Sequence, residues 1–561
     1  MGLAASPIRP AETVPSALAR PSSASVARLV AFTLSASAVA LLFALGPPIV
    51  EGQRPHAFEY LYRAHEPIAA WLCAALVLLA AAAAALRGDP RQLVAALARR
   101  PYLLVGVATV ALSAAAVLVY RQHPLSMDEY APLFQARVFA TGALAAKVPP
   151  GMVERLVPPY RWFIEATPDG HLVSAYWPGF ALLLTPFVWL GAPWLLNPLL
   201  GGASLYLIWW LARRTCAAED APGWALLLAA SSPAFTVTAI SFYSMGAHLC
   251  ASLAFAALLL EPTPRRLALA GTVGSLALAL HNPLPHTLFA LPFFVSLATR
   301  PHAWRNLSVL MLGYVPGTLL LALGWLWVQC RVGICANGPT HGSIAAFAGE
   351  LWQFAFRLPS SDLLWARAAG LLKLVLWTVP GLVPLAWWGA RERVQDAWWR
   401  ALAASAALTL LGYLVVPYDQ GHGWGYRYFH SAWGTLPLFG AAALSVPLRG
   451  REALRRTVLA ACLANLVLMN GLRFAQVRAF IAEHLAQIPA ASRGARFEVV
   501  FVHTDAGYYT IDLVQNDPFL RGGRWILISR GQREDELWIH RAFPGAQLDS
   551  RTPVAEVWQT N

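Results

Sequence analysis

The chain has 561 residues, of which 57% are hydrophobic and only 13% charged, and its mean hydropathy is +0.51. That is too apolar for a water-soluble protein of this length, so the composition excludes a soluble enzyme and points to an integral membrane protein. The formal charge of +13 is carried by short arginine clusters between apolar runs, the pattern of topology signals, and nucleic acid is not the expected partner. Residues 1–25, rich in Pro, Ser and Ala, read as a disordered cytoplasmic start. Runs of about twenty apolar residues can cross a bilayer as helix, because in lipid the backbone must satisfy its own hydrogen bonds. Such runs begin near 26, 68, 101, 193, 224, 245, 267, 287, 307, 371, 401, 430 and 457, predicting an all-α polytopic domain of about 13 spans over residues 26–472.

Thirteen crossings bring the arginine clusters to one face: Arg9/Arg20/Arg28, Arg87/Arg91/Arg99/Arg100, Arg213/Arg214, Arg265/Arg266, Arg300/Arg305, Arg391/Arg393/Arg400 and Arg449/Arg451/Arg455/Arg456. The N-terminus is then cytoplasmic and the C-terminus outside. Pro178–Leu190 reads as a helix lying at the outer interface, since a second span there would throw Arg213 and every later cluster outside. Loops 49–67, 120–177, 330–370 and 418–429 face outward. So does the tail, 473–561, which reads as a small α/β module with strands at Phe497–Val502 and Arg524–Ser529 and a helix at Gln532–Ala542. Loop 120–177 balances Arg121, Arg137, Lys147, Arg155 and Arg161 against Asp128, Glu129, Glu154, Glu165 and Asp169, so it lacks the basic excess that holds a loop inside. Cys330 and Cys335 are spaced for a local disulfide or stand as two free thiols, while the other four cysteines lie in spans or on the inner face and are expected unpaired. There is no C-x-x-C or H-E-x-x-H, and no structural zinc is expected.

Three outward-facing groups could carry chemistry. The first is Asp128-Glu129, an acid pair just beyond a span, followed by Arg137. Its alternative is local structure: Asp128 can cap the next helix and Glu129 can favour its positive end. The second is Gly423-Trp-Gly425-Tyr426-Arg427-Tyr428, where Arg427 could meet an anionic head group or simply snorkel within an aromatic belt. The third combines Tyr176-Trp177-Pro178-Gly179 with His281-Asn-Pro-Leu-Pro-His286. These aromatics can stack on sugar rings or anchor at the interface, and the histidines can bind sugar or phosphate or form a proline-enforced polar turn. His248, inside an apolar run, reads as a packed helix residue.

The acid pair in the first large outer loop, the Y-x-P-G turn, the paired arginines after it and the G-x-R-Y segment before a late span together resemble the bacterial branch of the C-type-fold (GT-C) membrane glycosyltransferases. These are related to protein O-mannosyltransferases and to the aminoarabinose transferase of lipid A. The segment from Leu513 through Leu520 to Phe543-Pro544-Gly545 is similar to the ending of uncharacterised bacterial members, and the likeness covers most of 100–561. The resemblance implies a bacterial inner-membrane enzyme that moves a sugar from a polyprenyl-phosphate-linked donor to a periplasmic glycan, lipid or protein acceptor. Asp128 would be its general base, and Arg427, or failing it Arg137, the cation at the phosphate. Glu129 would orient the acceptor or share a divalent cation, Mg or Mn, with Asp128; some relatives use a metal and others do not. The aminoarabinose branch's Lys-Pro-Pro-Leu signature is absent, with Ala175-Tyr-Trp-Pro-Gly179 in its approximate place, which makes aminoarabinose a poor choice of sugar. Two spans precede the one leading to Asp128 where one is usual, implying an added N-terminal hairpin. A carrier or flippase for a lipid-linked saccharide is the other class of function to weigh; interrupted helices or mid-span ionisable residues would favour it.

Overall fold

The computed structural model describes residues 22–47, 57–158, 163–334, 360–414, 416, 420, 423–445, 451–491 and 497–560. In chain order the first helices are α1 (Ser22–Leu45), α2 (Ala57–Ala82), α3 (Arg91–Ala98), α4 (Pro101–Leu118), α5 (Met127–Phe139), α6 (Val153–Leu156), α7 (Gly179–Trp189) and α8 (Leu196–Thr215). Next come α9 (Ala221–Ala230), α10 (Pro233–Thr238), α11 (Met245–Leu258), α12 (Pro264–Ala279), α13 (Leu284–Ala298) and α14 (Ala303–Arg331). The remainder are α15 (Ser361–Leu376), α16 (Leu382–Arg393), α17 (Ala397–Gly412), α18 (Thr435–Ser445), α19 (Glu452–Leu485) and α20 (Gln532–Ala542). Six helices among the described residues are long and apolar enough to cross a membrane, and several more are shorter apolar helices. The polytopic all-α class with a small C-terminal α/β part is therefore the observed one.

Hydropathy alone misjudged two spans. The run near 224 is broken at Ser231–Ser232 into α9 and α10, where Pro233 begins a new helix, and the run near 371 is broken at Trp377–Gly381 into α15 and α16, where Gly381 takes φ +87. The two breaks meet. The Ala234 N–H donates to the Trp377 carbonyl at 2.8 Å, the Val379 N–H to Ser232 Oγ at 3.2 Å, and the Asn465 side chain to the Ser231 carbonyl at 2.6 Å. Groups freed by one break are thus satisfied by the other, which is what non-helical backbone at this depth requires. Composition also misplaced the end of the last long helix. It runs to Leu485 rather than stopping near 472, because Arg473, which looks like the polar end of a span, is fully buried against Glu66 at 2.6 Å.

Arginines from the clusters near 91–100, 213–214 and 451–455 meet at one end of the bundle. Arg91 pairs with Asp220, Arg99 with Glu219, Arg451 with Glu392 and Arg455 with Asp89, tying together the ends of α3, α8, α16 and α19. At the opposite end α5 packs between two small sheets. Loop residues form an antiparallel sheet of order β1-β3-β2, from β1 (Ala146–Lys147), β2 (Ile164–Ala166) and β3 (His171–Ser174). The tail forms a sheet of order β5-β4-β7-β6, from β4 (Phe497–Val502), β5 (Arg524–Ile528), β6 (Gln547–Arg551) and β7 (Ala555–Thr560), parallel only between β4 and β5. Alternation along β4 divides its side chains between two cores. Val499 and Phe501 join Met127, Tyr130 and Phe134 of α5, while Val500 and Val502 join Ile528 and Val557. Arg155 of α6 locks loop to tail through a 2.5 Å ion pair with Asp535, its guanidinium lying over Phe501 and Trp538. The tail is therefore packed onto the first outer loop.

Helix α7, with 11 residues, is about 16 Å long and too short to span; it lies against α5, and Trp189 donates to the Ala140 carbonyl. Cys73, Cys216, Cys250 and Cys462 are free, Cys330 is in a disulfide, and Cys335 lies outside the described residues.

Candidate active site

The N-terminus of α5 places Asp128 and Glu129 side by side in sequence but in opposite environments. Glu129 points inward and is fully buried. One of its oxygens accepts from Tyr120 Oη and the Phe242 N–H, each at 2.8 Å; the other accepts from the Leu125 N–H at 2.8 Å and the Ser126 N–H at 3.2 Å. Burial pushes its pKa up to about 7 even against those four donors. The local task considered for Asp128, tying down the start of this helix, falls instead to Glu129, which reaches back to the Ser126 backbone in the manner of a capping box.

Asp128 points the other way, half-buried. Its Oδ1 accepts the Tyr176 hydroxyl and its Oδ2 the Arg427 Nη1 at 2.7 Å. Burial pushes its carboxyl up, but the Arg427 guanidinium, His281 and the Tyr176 hydroxyl together hold it below the usual carboxylate range. Arg427 lies over the Tyr243 ring at 5.0 Å, and Tyr243 Oη is 3.1 Å from Ser126 Oγ. The arginine's backbone N–H donates to Gln420 Oε1, and its stem passes so close to Gly423 that a Cβ there would lie 2.6 Å from Arg427 Cδ. The glycine in the segment is thus explained by the arginine's path. Arg427 Nε is buried and meets no acceptor among the described residues.

Tyr176 and His281 come together because Gly179 rides on the end of α12, where a Cβ would lie 2.7 Å from the Ala279 carbonyl oxygen. The Trp177 N–H then donates to the His281 carbonyl. The Tyr176 and His281 ring centroids are 4.0 Å apart. Burial, with Arg427 beside it, lowers the His281 pKa to about 4 against the pull of Asp128; the ring is neutral, and its buried Nδ1 has no partner among the described residues.

The structure therefore brings Asp128, Tyr176, Trp177, His281 and Arg427 together. It does not bring the other candidates there. Arg137 lies nine residues further along α5, about 13 Å along its axis, and shares no contact with Asp128 among the described residues. His286 is buried, with Nε2 2.7 Å from Tyr314 Oη and its ring edge-on to Phe255. Tyr426 packs on Gly370, and Tyr428 stacks on Tyr413 at 4.6 Å with Arg367 over its ring, so these two support the segment that carries Arg427. The residues do not fit a Mg or Mn ion shared by the acid pair: both Asp128 oxygens are taken by Arg427 and Tyr176, and both Glu129 oxygens are filled by donors from the opposite side.

Sequence reasoning missed Tyr120, Tyr243, Gln420 and Asp512. Asp512, from the tail, accepts the Met127 N–H at 2.9 Å, and burial, aided by Asp128 and Glu129, raises its pKa to about 8 despite that bond. Nearby, Tyr130 Oη donates to the Asn516 carbonyl at 2.6 Å, while the Asn516 side chain brackets Ile526 of β5.

No protein-family model matches the chain, and no curated protein does. Among solved structures it is similar to ArnT from Cupriavidus metallidurans, a GT-C-fold aminoarabinose transferase. The complex of that protein with undecaprenyl phosphate superposes with a TM-score of 0.52 at 13% identity, and its apo form with 0.50 at 12%. Each comparison covers 82% of this chain and 97% of the other. At such identity the likeness is one of fold, and the fold is that of the GT-C membrane glycosyltransferases.

Proposed function

We propose that this chain is a membrane glycosyltransferase of a bacterial inner membrane, with a cytoplasmic N-terminus. It transfers a sugar from a polyprenyl-phosphate donor to a periplasmic glycan, lipid or protein, with Asp128 as general base. The observation that carries the reading is a half-buried carboxylate held between Arg427 and Tyr176, where the first loop and the tail meet the helices of a GT-C fold.

The pairing explains how base and cation cooperate. At rest the guanidinium keeps Asp128 ionised and weakly basic. A donor phosphate competes for that guanidinium, whose Nε is already unengaged. As Arg427 turns toward it, Asp128 loses its counter-charge and becomes a stronger base while an acceptor hydroxyl lies against it. The hydroxyl oxygen attacks the anomeric carbon on the face opposite the phosphate and gives its proton to Asp128. The bond between that carbon and the phosphate oxygen breaks, and its electron pair leaves with the lipid phosphate, whose growing charge Arg427 stabilises. The configuration inverts. Neutral His281 and the Tyr176 ring offer a hydrogen-bonding nitrogen and an aromatic face to the sugar.

The interrupted helices favour a carrier or flippase as the second reading, because transport sites form at such breaks. Here, however, backbone groups at the two breaks bond to one another. The test is to incubate purified wild-type and Asp128→Asn protein with a panel of polyprenyl-phosphate sugars and membrane-extract acceptors, and to follow free lipid phosphate. Asp128-dependent release supports transfer. Binding without release by folded wild-type protein overturns it in favour of carriage.

A further inference from the structure

The far end of α4 carries a second charged site. About 27 Å of helix separates Pro101 from the end that leads to Asp128, and the paired helix α8 runs antiparallel to it. The two are drawn together at mid-length, where Gly201 and Gly202 face Leu112 and Thr109 so closely that a Cβ on Gly202 would lie 2.1 Å from Thr109 Oγ1. Toward the arginine-rich face they enclose a groove of about 910 Å³, bounded by Arg99, Arg100, Tyr102, Tyr206, Arg213 and Arg214.

Three features mark this groove. First, its charge is poorly neutralised: Arg99 meets Glu219, but among the described residues no carboxylate lies within 4.0 Å of Arg100, Arg213 or Arg214. Second, the guanidiniums are held by rings. Arg213 lies over Trp209 at 5.4 Å and Arg214 over Trp210 at 5.3 Å. Trp209 is itself anchored by donating to the Ala98 carbonyl at 2.9 Å, and Tyr102 stacks on Tyr206 at 5.8 Å. Third, an apolar track leads from the groove into the bilayer region: Leu103, Val107 and Val110, one stripe of α4, are 58%, 59% and 70% exposed. Fixed guanidiniums suit phosphate oxygens, and the stripe suits acyl chains.

We infer that this groove binds the phosphodiester head group of an anionic glycerophospholipid, with its acyl chains along α4. The apolar stripe is what favours a lipid over a free phosphate ion.

The test uses full-length protein, delipidated in detergent and titrated with phosphatidylglycerol, cardiolipin, phosphatidylcholine or inorganic phosphate, with retained lipid read by native mass spectrometry and stability by thermal shift. Wild-type protein should retain the anionic lipids and rise in Tm with them, and should respond weakly to phosphatidylcholine and phosphate. Arg100→Gln with Arg214→Gln should weaken anionic-lipid binding about thirtyfold, since each surface arginine contributes about fivefold. If that pair fails to fold, Arg100→Lys with Arg214→Lys keeps the charges that set insertion but loses the forked donors, and must bind more weakly than wild type. Equal retention by wild type and variants, or equal retention of phosphatidylcholine, overturns the proposal. So does full stabilisation by inorganic phosphate alone, which would assign the groove to a free anion.

Discussion

Two of the carboxylate–guanidinium pairs in this molecule, one sealed and one open, differ in what remains accessible after pairing. Glu66 and Arg473 join α2 to α19 with both side chains essentially sealed, at 1% and 0% exposure. Glu66 also accepts from Trp377 Nε1, and Arg473 is sandwiched by the Trp377 ring at 4.1 Å and bonded to Gln476. Asp128 and Arg427 are 20% and 11% exposed, and their neighbours are hydroxyls and a neutral imidazole. The first pair fixes α2 to α19. The second sits where a ligand can take one partner from the other. A buried ion pair is thus evidence of chemistry only when exchange is open to it.

That contrast can be broken experimentally. Asp128→Asn should lower release of lipid phosphate by about 100- to 10,000-fold, the usual contribution of a general base, with little change in melting temperature. Glu66→Ala should do the reverse. It strands Arg473 and should cost about 3–5 kcal/mol in denaturant unfolding, while the folded fraction keeps its turnover; Glu66→Met with Arg473→Met should restore most of the loss. Glu129→Gln turns an amide N–H toward backbone N–H groups and should cost about 1–3 kcal/mol, with Asp128-dependent release persisting; abolished release in well-folded protein would place Glu129 in the reaction.

The subtler changes sharpen the active pair. Wild-type Asp128, held below the usual carboxylate range, stays ionised well into acid, so its stabilising bond to Arg427 is lost only as pH falls through that lowered value. Arg427→Leu should raise the donor KM and move the acid limb of the pH profile upward to roughly pH 4 or above, because burial then acts on Asp128 without its counter-charge. An unmoved limb would show that another group sets it. Gly423→Ala, which pushes the Arg427 stem aside, should raise the donor KM by less than the loss of the guanidinium does.

Much of the plan was legible in the sequence because it is local. Apolar runs gave most helices; β4 and α20 fall where alternation and periodicity put them, and Asp128, Tyr176, His281 and Arg427 were singled out by residue type beside a span. What failed to show depends on distant partners. The interruption at Trp377–Gly381 carries a Pro380-Gly381 turn signal that the long apolar run around it outweighs, and its partners Ser232 and Ala234 are distant in sequence. β6, mostly exposed and polar, offers no alternating pattern to read. Glu129 has the same residue type and place as a catalytic acid, and only the distant Phe242 and the buried Tyr120 show how its carboxylate is held.

The bond from the Met127 N–H to Asp512 spans 385 residues. During synthesis the acid pair emerges long before the tail that pins its helix, and loop closure over such a separation is reached late. A partly made chain inserted in the membrane would hold Asp128 and Arg427 but lack this last brace. Final assembly of this corner is thereby deferred until the tail has been made, so the tail acts as a late brace as well as a packed module.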